Sequence, residues 1–220
     1  MKIAVITYNA PHRKTQDLVY RLLLSGHSDI TLVVLPFEQR PYKPLYEHRP
    51  PVAIHTHPQT MSITLGLNHV LLDICKLNDY FEGEKFDRIL IGGCGLLPES
   101  LIKFNIINAH PGFLPIVRGL DSFKWAILKG LTIGVTTHFI GGGADLGVLI
   151  DRMSIERLPN DTFHSLAYRQ YELEVNMLVS AITAKPAGTS LEEDRNFPVY
   201  PATKRMTHIE ELSMMKKFNN

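Results

Sequence analysis

The stretch Asn108-Ala109-His110-Pro111 places two polar side chains two residues apart, directly after a short apolar run. Residues i and i+2 of an extended segment face the same side, so Asn108 and His110 can point into one pocket. An amide can donate a hydrogen bond to an oxygen that gains negative charge, and an imidazole can move a proton near neutral pH. An Asn that caps a turn and a His satisfied in the core explain these two residues equally well.

A carboxylate, Asp145, follows the glycine run Gly141-Gly142-Gly143 and precedes Gly147. A carboxylate beside a histidine can orient the imidazole and stabilise its protonated form. An aspartate that caps a glycine-rich hairpin is an equally ordinary arrangement. The glycines also allow a flat ligand to approach the backbone closely, because they carry no Cβ.

The elements that must position these residues alternate between strand and helix at the start of the chain. Residues 2–7 and 30–35 are short apolar runs, which are typical of buried strands. Between them, residues 18–23 carry leucine and valine at helical spacing. This β-α-β order predicts an α/β fold with a parallel sheet, in which ligands gather at the carboxyl ends of the strands.

The same patterns predict the elements that follow. Apolar runs predict strands at residues 88–92, 106–108, 133–140 and 147–155, and helical spacing predicts helices at residues 122–129 and from Asp161 onward. A helix of about four turns is also predicted, because six apolar residues recur at helical spacing from Ile63 to Leu77. Residues 36–60 carry six prolines and no clear periodicity, which is typical of a functional or disordered segment.

Four sequence motifs, in this order, resemble the 10-formyltetrahydrofolate-dependent formyltransferases. They are Asn-Ala-His-Pro-Gly-Phe-Leu-Pro at 108–115, Arg-Gly at 118–119, Gly-Val-Thr-Thr-His-Phe at 134–139 and Asp-Leu-Gly at 145–147. The resemblance is strong from about residue 87 to residue 155, and its specificity comes from the ordered set. The superfamily includes glycinamide ribonucleotide formyltransferase, methionyl-tRNA formyltransferase and the sugar-nucleotide N-formyltransferases.

The resemblance implies a fold, a formyl donor and a set of site residues. The expected fold is a Rossmann-like α/β fold with a mixed, mostly parallel sheet flanked by helices. The expected donor is 10-formyltetrahydrofolate, and the catalytic residues fall on Asn108, His110 and Asp145. The expected contacts to the folate are Gly95, Leu96, Leu97, Ile140, Gly141, Gly142 and Gly143.

The acceptor is expected to be a small-molecule amine, and a nucleotide-linked amino deoxysugar is favoured. Enzymes similar to glycinamide ribonucleotide formyltransferase hold a phosphate on a glycine-rich turn after the first strand. The turn at residues 7–13 has no glycine, and Pro11 removes a backbone donor. The chain after Lys185 is short and nearly neutral, unlike the basic C-terminal domain that a tRNA formyltransferase carries. Base stacking and diphosphate contacts are expected from Arg40, Tyr42, Tyr46, Arg49 and Arg118.

Other acceptors and other classes of protein stay open. Glycinamide ribonucleotide or another small amine is one alternative acceptor, and water would make the protein a formyltetrahydrofolate hydrolase. A catalytically silent folate- or nucleotide-binding protein is a further class, which the complete Asn-His-Asp set disfavours. In the sugar-nucleotide branch, the resemblance implies a role such as O-antigen biosynthesis.

Composition limits the remaining possibilities. The chain has 220 residues and a net charge of +1, so no broad binding of nucleic acid or membrane is expected. Its two cysteines form no disulfide or zinc pattern, which favours reduced thiols in the cytoplasm. His55 and His57 lack a third ligand nearby, so no metal site is expected. We expect a catalytic domain at 1–185 and a tail or small subdomain at 186–220, with a homodimer left open.

Overall fold

The computed structural model describes residues 1–38, 42–49 and 56–220. Within them, one sheet has the strand order β3-β2-β1-β4-β5-β6-β7. The strands are β1 (Ile3–Tyr8), β2 (Ile30–Leu35), β3 (Asn68–Leu71), β4 (Arg88–Ile91), β5 (Ile107–His110), β6 (Gly134–Gly141) and β7 (Gly143–Ser154). The α-helices are α1 (Arg13–Leu24), α2 (Pro58–Leu65), α3 (Leu77–Glu84), α4 (Ser122–Lys129), α5 (Phe163–Ser180) and α6 (His208–Asn219).

The first five strands of the sheet are parallel, and the last two pairings are antiparallel. Strands β3, β2, β1, β4 and β5 pair in parallel, whereas β6 runs antiparallel to both β5 and β7. The predicted Rossmann-like, mixed and mostly parallel sheet is therefore confirmed. The carboxyl ends of β1, β4 and β5 lie at one edge, where such sheets bind their ligands.

Helices cover both faces of the sheet. Alternate residues of each strand point to opposite sides, so an apolar strand has side chains to bury on both faces. Ile3 and Val5 of β1 share one buried cluster with residues of α1 and α5. Ala4 and Ile6 of the same strand pack on the other face, where α3 contributes Phe81 to the second cluster. The expectation that these apolar runs form buried strands is therefore confirmed in β1 and β2, which are buried along most of their length.

The single helix predicted from Ile63 to Leu77 is wrong. Helix α2 ends at Leu65, since Gly66 adopts the left-handed conformation that caps a helix, with φ 66°. The chain then forms edge strand β3, a short 3₁₀ helix and α3. Leu77 is buried in α3 and Val70 is partly buried in β3, whereas Ile63 of α2 is exposed, so the helical spacing of the set was coincidental.

The C-terminal residues pack on the same body as the sheet. Helix α6 lies against α4, and the two helices and the start of α5 share a third buried cluster that includes Phe123, Phe163 and Phe218. Lys124 of α4 and Glu211 of α6 form a fully buried ion pair. A domain boundary at residue 185 stays a prediction. Among the described residues, no helix is long and apolar enough to cross a bilayer.

Candidate active site

His110 and Asp145 contact each other at the carboxyl edge of the sheet. The Nδ1 atom of His110, the last residue of β5, lies 3.1 Å from Oδ1 of Asp145. The other carboxylate oxygen of Asp145 accepts the backbone N–H of Gly119 at 2.7 Å. The imidazole is buried and the carboxylate is partly exposed. The carboxylate therefore holds the ring in one orientation from the side that faces β7.

An irregularity in β7 directs Asp145 toward the histidine. In the β6–β7 pairing, Ile140 lies opposite Gly147 while the next residue, Gly141, lies opposite Gly143. The three residues 144–146 are therefore extra on β7 and form a bulge. Asp145 in this bulge has a φ of 54°, a left-handed conformation that Asp tolerates better than most residues. The predicted glycine-rich turn is thus shorter than expected, and Asp145 lies within a strand.

The carboxylate of Asp145 stays ionised in these surroundings. Burial on its own would raise the pKa of Asp145. The neighbouring His110 ring and the N–H of Gly119 outweigh burial and hold that pKa well below its ordinary value. A permanently charged acceptor beside the imidazole is suited to stabilising positive charge on the ring.

Asn108 lies beside a third polar side chain, His138 of β6. The Nδ2 atom of Asn108 is 3.3 Å from Nε2 of His138, whose Nδ1 lies 3.1 Å from the carbonyl oxygen of Phe139. Burial lowers the pKa of His138 to about 4, so the ring is neutral near pH 7. A neutral ring that donates from Nδ1 to Phe139 must accept at Nε2. The amide of Asn108 therefore donates one hydrogen to His138 and has a second one to offer.

The loop that follows β5 closes around the other side of His110. The Nε2 atom of His110 lies 3.0 Å from the carbonyl oxygen of Val117 and 3.0 Å from Oγ of Ser122. The Ser122 hydroxyl donates to the carbonyl oxygen of Gly119 at 2.7 Å, so it can accept from the ring. Both ring nitrogens thus face acceptors, and the site can hold the cationic form of His110.

A buried ion network supports the backbone between Asn108 and His110. Lys14 of α1 donates to the carbonyl oxygen of Ala109 at 3.0 Å and lies 2.7 Å from Oε1 of Glu174. Glu174 is fully buried and also pairs with Arg49. Burial would raise the pKa of Glu174, but Arg49 and Lys14 outweigh it and lower the pKa to about 2. Lys14 and Glu174 were not predicted, because no local motif marks them, and Arg49 was expected to bind a diphosphate instead.

The residues expected to contact the folate lie on two neighbouring segments at the same edge. The 92–98 segment follows β4, and Gly95 and Leu96 are exposed on it, Leu96 to 72%. The β6–β7 turn is adjacent, since a Cβ built on Gly142 would lie 3.4 Å from Oε1 of Glu99. Leu97, Ile140, Gly141 and Gly143 are partly buried at this edge. The structure therefore brings both halves of the expected folate site together.

The residues expected to hold a nucleotide have intramolecular partners where the structure describes them. Tyr42 donates to the carbonyl oxygen of Met206 at 2.6 Å, and Tyr46 packs edge-on against Phe163. Arg49 belongs to the ion network, and Arg118 donates twice to the carbonyl oxygen of Ala144, at 3.1 and 2.7 Å. Arg40 lies outside the described residues, and so does His55. The role of these side chains in acceptor binding stays a prediction.

Among the described residues, no three His, Cys, Asp or Glu side chains form a group that could hold a metal ion. The Nδ1 atom of His57 accepts the backbone N–H of Gln59 at 3.3 Å and caps the start of α2. Cys75 is exposed and Cys94 is partly buried, and both are free thiols. Burial raises the pKa of the Cys94 thiol to about 12, so it is protonated near pH 7.

Fold and site together define a Rossmann-like α/β protein with a polar cluster at the carboxyl edge of its sheet. Residues 1–182 match the family named Formyl transferase, so the chain belongs to that family. The formyl donor of this family is 10-formyltetrahydrofolate. The resemblance that the sequence motifs indicated is therefore confirmed.

Three similar proteins show how far the likeness extends. Methionyl-tRNA formyltransferase of Koribacter versatilis (strain Ellin345) is 35% identical over 107 residues, 46% of this chain and 34% of that protein. A sugar N-formyltransferase from Shewanella sp. FDAARGOS_354 superposes with a TM-score of 0.62 and 15% identity, covering 99% of this chain and 87% of that one. Phosphoribosylglycinamide formyltransferase from Anaplasma phagocytophilum superposes with a TM-score of 0.61 and 18% identity, covering 82% of this chain and 84% of that one. The chain spans 34% to 50% of the length of the curated relatives it matches.

Proposed function

We propose that this protein transfers a formyl group from 10-formyltetrahydrofolate to an amine, with Asn108, His110 and Asp145 as its catalytic residues. The observation that carries the proposal is their convergence at the end of β5. Asp145 is 37 positions from Asn108 in the sequence, yet the bulge in β7 brings its carboxylate to 3.1 Å from His110. A bulge that re-aims one side chain toward a polar cluster is typical of an active site.

Asn108 supplies a hydrogen-bond donor to the oxygen of the formyl group. When bound, 10-formyltetrahydrofolate supplies the formyl carbon that the acceptor amine attacks, so its oxygen gains negative charge. One amide hydrogen of Asn108 is directed to His138, and the second can donate to that oxygen. Because His138 fixes the amide, little reorganisation is needed as the charge develops.

His110 and Asp145 act on the charges and the proton. The acceptor nitrogen forms a bond to the formyl carbon and loses a proton, and the bond from that carbon to the folate nitrogen breaks as this nitrogen gains a proton. The cationic form of His110 stabilises the negative oxygen, and the Asp145 carboxylate stabilises that cation. The same pair provides a route for the proton between the two nitrogens.

The residues at the strand edge fit a folate. A pteridine is a flat ring that requires an apolar wall and close approach to the backbone. The exposed Leu96 side chain provides the wall, and the open face of Gly142 allows the approach. We assign Gly95, Leu97, Ile140, Gly141 and Gly143 to the same site, because they lie on the two segments that border it.

For the acceptor, we propose an amino deoxysugar linked to a nucleotide. The turn after β1 offers a poor phosphate cradle, because the N–H of Asn9 donates to the carbonyl oxygen of Leu35 at 2.7 Å and Pro11 has no N–H. The superposition on the Shewanella sugar N-formyltransferase covers 99% of this chain, whereas the superposition on the Anaplasma enzyme covers 82%. Both observations favour a sugar acceptor over glycinamide ribonucleotide. A cytoplasmic location and a homodimer stay predictions.

The experiment is a panel of acceptors assayed with 10-formyltetrahydrofolate. Release of tetrahydrofolate is followed spectroscopically, and the formylated product is identified by mass spectrometry. We expect turnover with at least one UDP-, GDP- or TDP-linked amino sugar and none with glycinamide ribonucleotide. Asp145→Asn is the matched control, since it keeps the side-chain shape and tolerates the positive φ. Turnover of glycinamide ribonucleotide at a comparable rate would contradict the sugar acceptor, and release without any amine would indicate a hydrolase.

A further inference from the structure

The C-terminal strap, defined here as residues 188–206, runs beside the loop that holds the catalytic pair. At its start, Leu191 donates to the carbonyl oxygen of Gly147 at 2.8 Å, next to the bulge of β7. Further along, Asp194 accepts from Arg152 at 2.9 Å, and Arg152 also donates to the carbonyl oxygen of Leu114. The strap therefore contacts both β7 and the loop after β5.

Thr203 of the strap forms several hydrogen bonds with this loop. Its backbone N–H and its hydroxyl Oγ1 both contact the carbonyl oxygen of Arg118, at 2.8 and 2.7 Å. The same hydroxyl lies 2.8 Å from the carbonyl oxygen of Leu120. In return, the backbone N–H of Leu120 donates to the carbonyl oxygen of Thr203 at 2.9 Å. Thr203 thus contacts the residues before and after Gly119.

Gly119 lies between Thr203 and Asp145. Its N–H donates to Oδ2 of Asp145 at 2.7 Å, and its φ is 90°. A Cβ built on it would lie 2.3 Å from the carbonyl oxygen of Thr203, so only glycine allows this approach. Arg118 also connects the strap to the bulge, because its side chain donates to the carbonyl oxygens of both Ala144 in the bulge and Tyr200 in the strap.

We propose that Thr203 is a positioning residue for formyl transfer, which holds the N–H of Gly119 against Asp145 and so aims the carboxylate at His110. The inference rests on the proposed function and deepens it. It assigns a role in catalysis to a residue of the C-terminal strap, Thr203, which lies 58 residues beyond Asp145 in the sequence. Thr203 is 84 residues from Gly119, so no local motif reveals the connection.

Three variants separate positioning from general stability. Thr203→Val keeps the shape but removes the hydroxyl, and we expect kcat to fall about tenfold, the scale of one or two lost hydrogen bonds, with KM values unchanged. Thr203→Ser keeps the hydroxyl and should restore kcat. Thr207→Val is the matched control, since Thr207 accepts the N–H of Glu210 and caps α6. It should lower the melting temperature without changing kcat.

A double variant tests whether Thr203 acts through Asp145. The Asp145→Asn variant lacks the negative charge that Thr203 is proposed to orient toward His110. In this background, Thr203→Val should therefore reduce kcat by less than about twofold. An equal loss in both backgrounds would mean that Thr203 only stabilises the fold, and the proposal would fall. Equal kcat in Thr203→Val and the unmodified protein would overturn it as well.

A spectroscopic measurement needs no substrate and stays informative if the acceptor is misassigned. The sequence contains a single Arg-Gly pair, at 118–119, so labelling arginine at the carbonyl carbon and glycine at nitrogen isolates the Gly119 amide in an NMR spectrum. We expect its proton to resonate downfield and to shift upfield in both Thr203→Val and Asp145→Asn. An amide unmoved in Thr203→Val would overturn the proposal. Failure of the unmodified protein to release tetrahydrofolate with any acceptor would instead overturn the proposed function.

Discussion

The Nε2 atom of His138 accepts a hydrogen bond from the side-chain amide of Asn108 at 3.3 Å, and His138 lies on β6, the strand that pairs with β5. The two residues are direct cross-strand partners in the antiparallel β5–β6 ladder. His138 is buried and neutral near pH 7, because burial lowers its pKa to about 4. A neutral acceptor in a fixed position determines which way the Asn108 amide points, and this orientation is what an oxyanion donor requires.

Replacing His138 with Phe should therefore slow the reaction without weakening substrate binding. The aromatic ring keeps the volume but offers no acceptor, so the Asn108 amide loses its fixed orientation. We expect kcat to fall about tenfold, since small misplacements of catalytic groups are costly, while KM changes little. His138→Gln retains an acceptor oxygen and is the control. Steady-state kinetics that show an equal loss for Phe and Gln would contradict this role.

The lowered pKa of His138 also predicts a pH dependence of stability. The ring protonates near pH 6.5 in the unfolded chain and at about 4 in the folded protein. Between these values the unfolded chain binds more protons, so the free energy of unfolding falls as the pH is lowered, by about 3 kcal/mol in total. Denaturant titrations at pH 7 and pH 4.5 should show a smaller loss for His138→Gln than for the unmodified protein. Parallel losses would contradict the assignment.

Single substitutions in the proposed catalytic set should each reduce turnover strongly. Removing one oxyanion donor typically costs ~10²–10³ in rate, so Asn108→Ala should fall in that range. His110→Ala should lose at least as much, because proton transfer is lost too. Asp145→Asn should slow turnover with little change in acceptor affinity. Since His110 and Asp145 act as a pair, the double variant should lose less than the product of the two single losses. A loss equal to that product would mean independent action.

The fold was predictable from the sequence wherever a single strand or helix had its own clear hydrophobic pattern. The strand-helix-strand order of β1, α1 and β2 followed from apolar runs and helical spacing, and helix α4 was placed at its observed bounds. The segment from Ile63 to Leu77 failed because an edge strand buries only part of its side chains, so Val70 mimicked a helical position. Periodicity cannot separate such a case from a helix without knowledge of strand pairing.

The residues of the candidate site could be named from the sequence, but the residues that support them could not. Asn108 and His110 could be paired from their spacing, and the family motif indicated Asp145. The bulge that turns Asp145 toward His110 depends on the register of β6 and β7, which the sequence does not reveal. Lys14 and Thr203 contact the backbone around the candidate site from distant positions in the sequence, so only the folded chain brings them there.

The buried pair between Lys124 and Glu211 should be essential for attachment of α6. Both side chains are almost fully buried, and Glu211 also accepts the backbone N–H of Leu45 at 2.6 Å. Lys124→Met leaves a buried carboxylate without its cation, which typically costs about 3–5 kcal/mol. We expect the melting temperature to fall by roughly 10 °C for a chain of this size. Lys129→Met, on the exposed end of α4, is the control and should change it little. Equal melting temperatures for both variants would contradict the buried pair.

Gly142→Val should weaken folate binding more than acceptor binding. Gly142 is exposed at the β6–β7 turn, and a Cβ there would meet only the Glu99 side chain at 3.4 Å, so the fold can accept the larger residue. The β-branched side chain would instead occupy the open face that we assign to the pteridine. We expect the dissociation constant of a non-transferable folate analogue to rise about tenfold or more, the effect of losing one close-packed ring face. Calorimetry should measure this constant, and thermal shift with the acceptor should stay unchanged.

Gly83→Val, on α3 away from the edge, controls for a general effect of the substitution. Unaltered analogue affinity in a folded Gly142→Val protein would place the pteridine elsewhere.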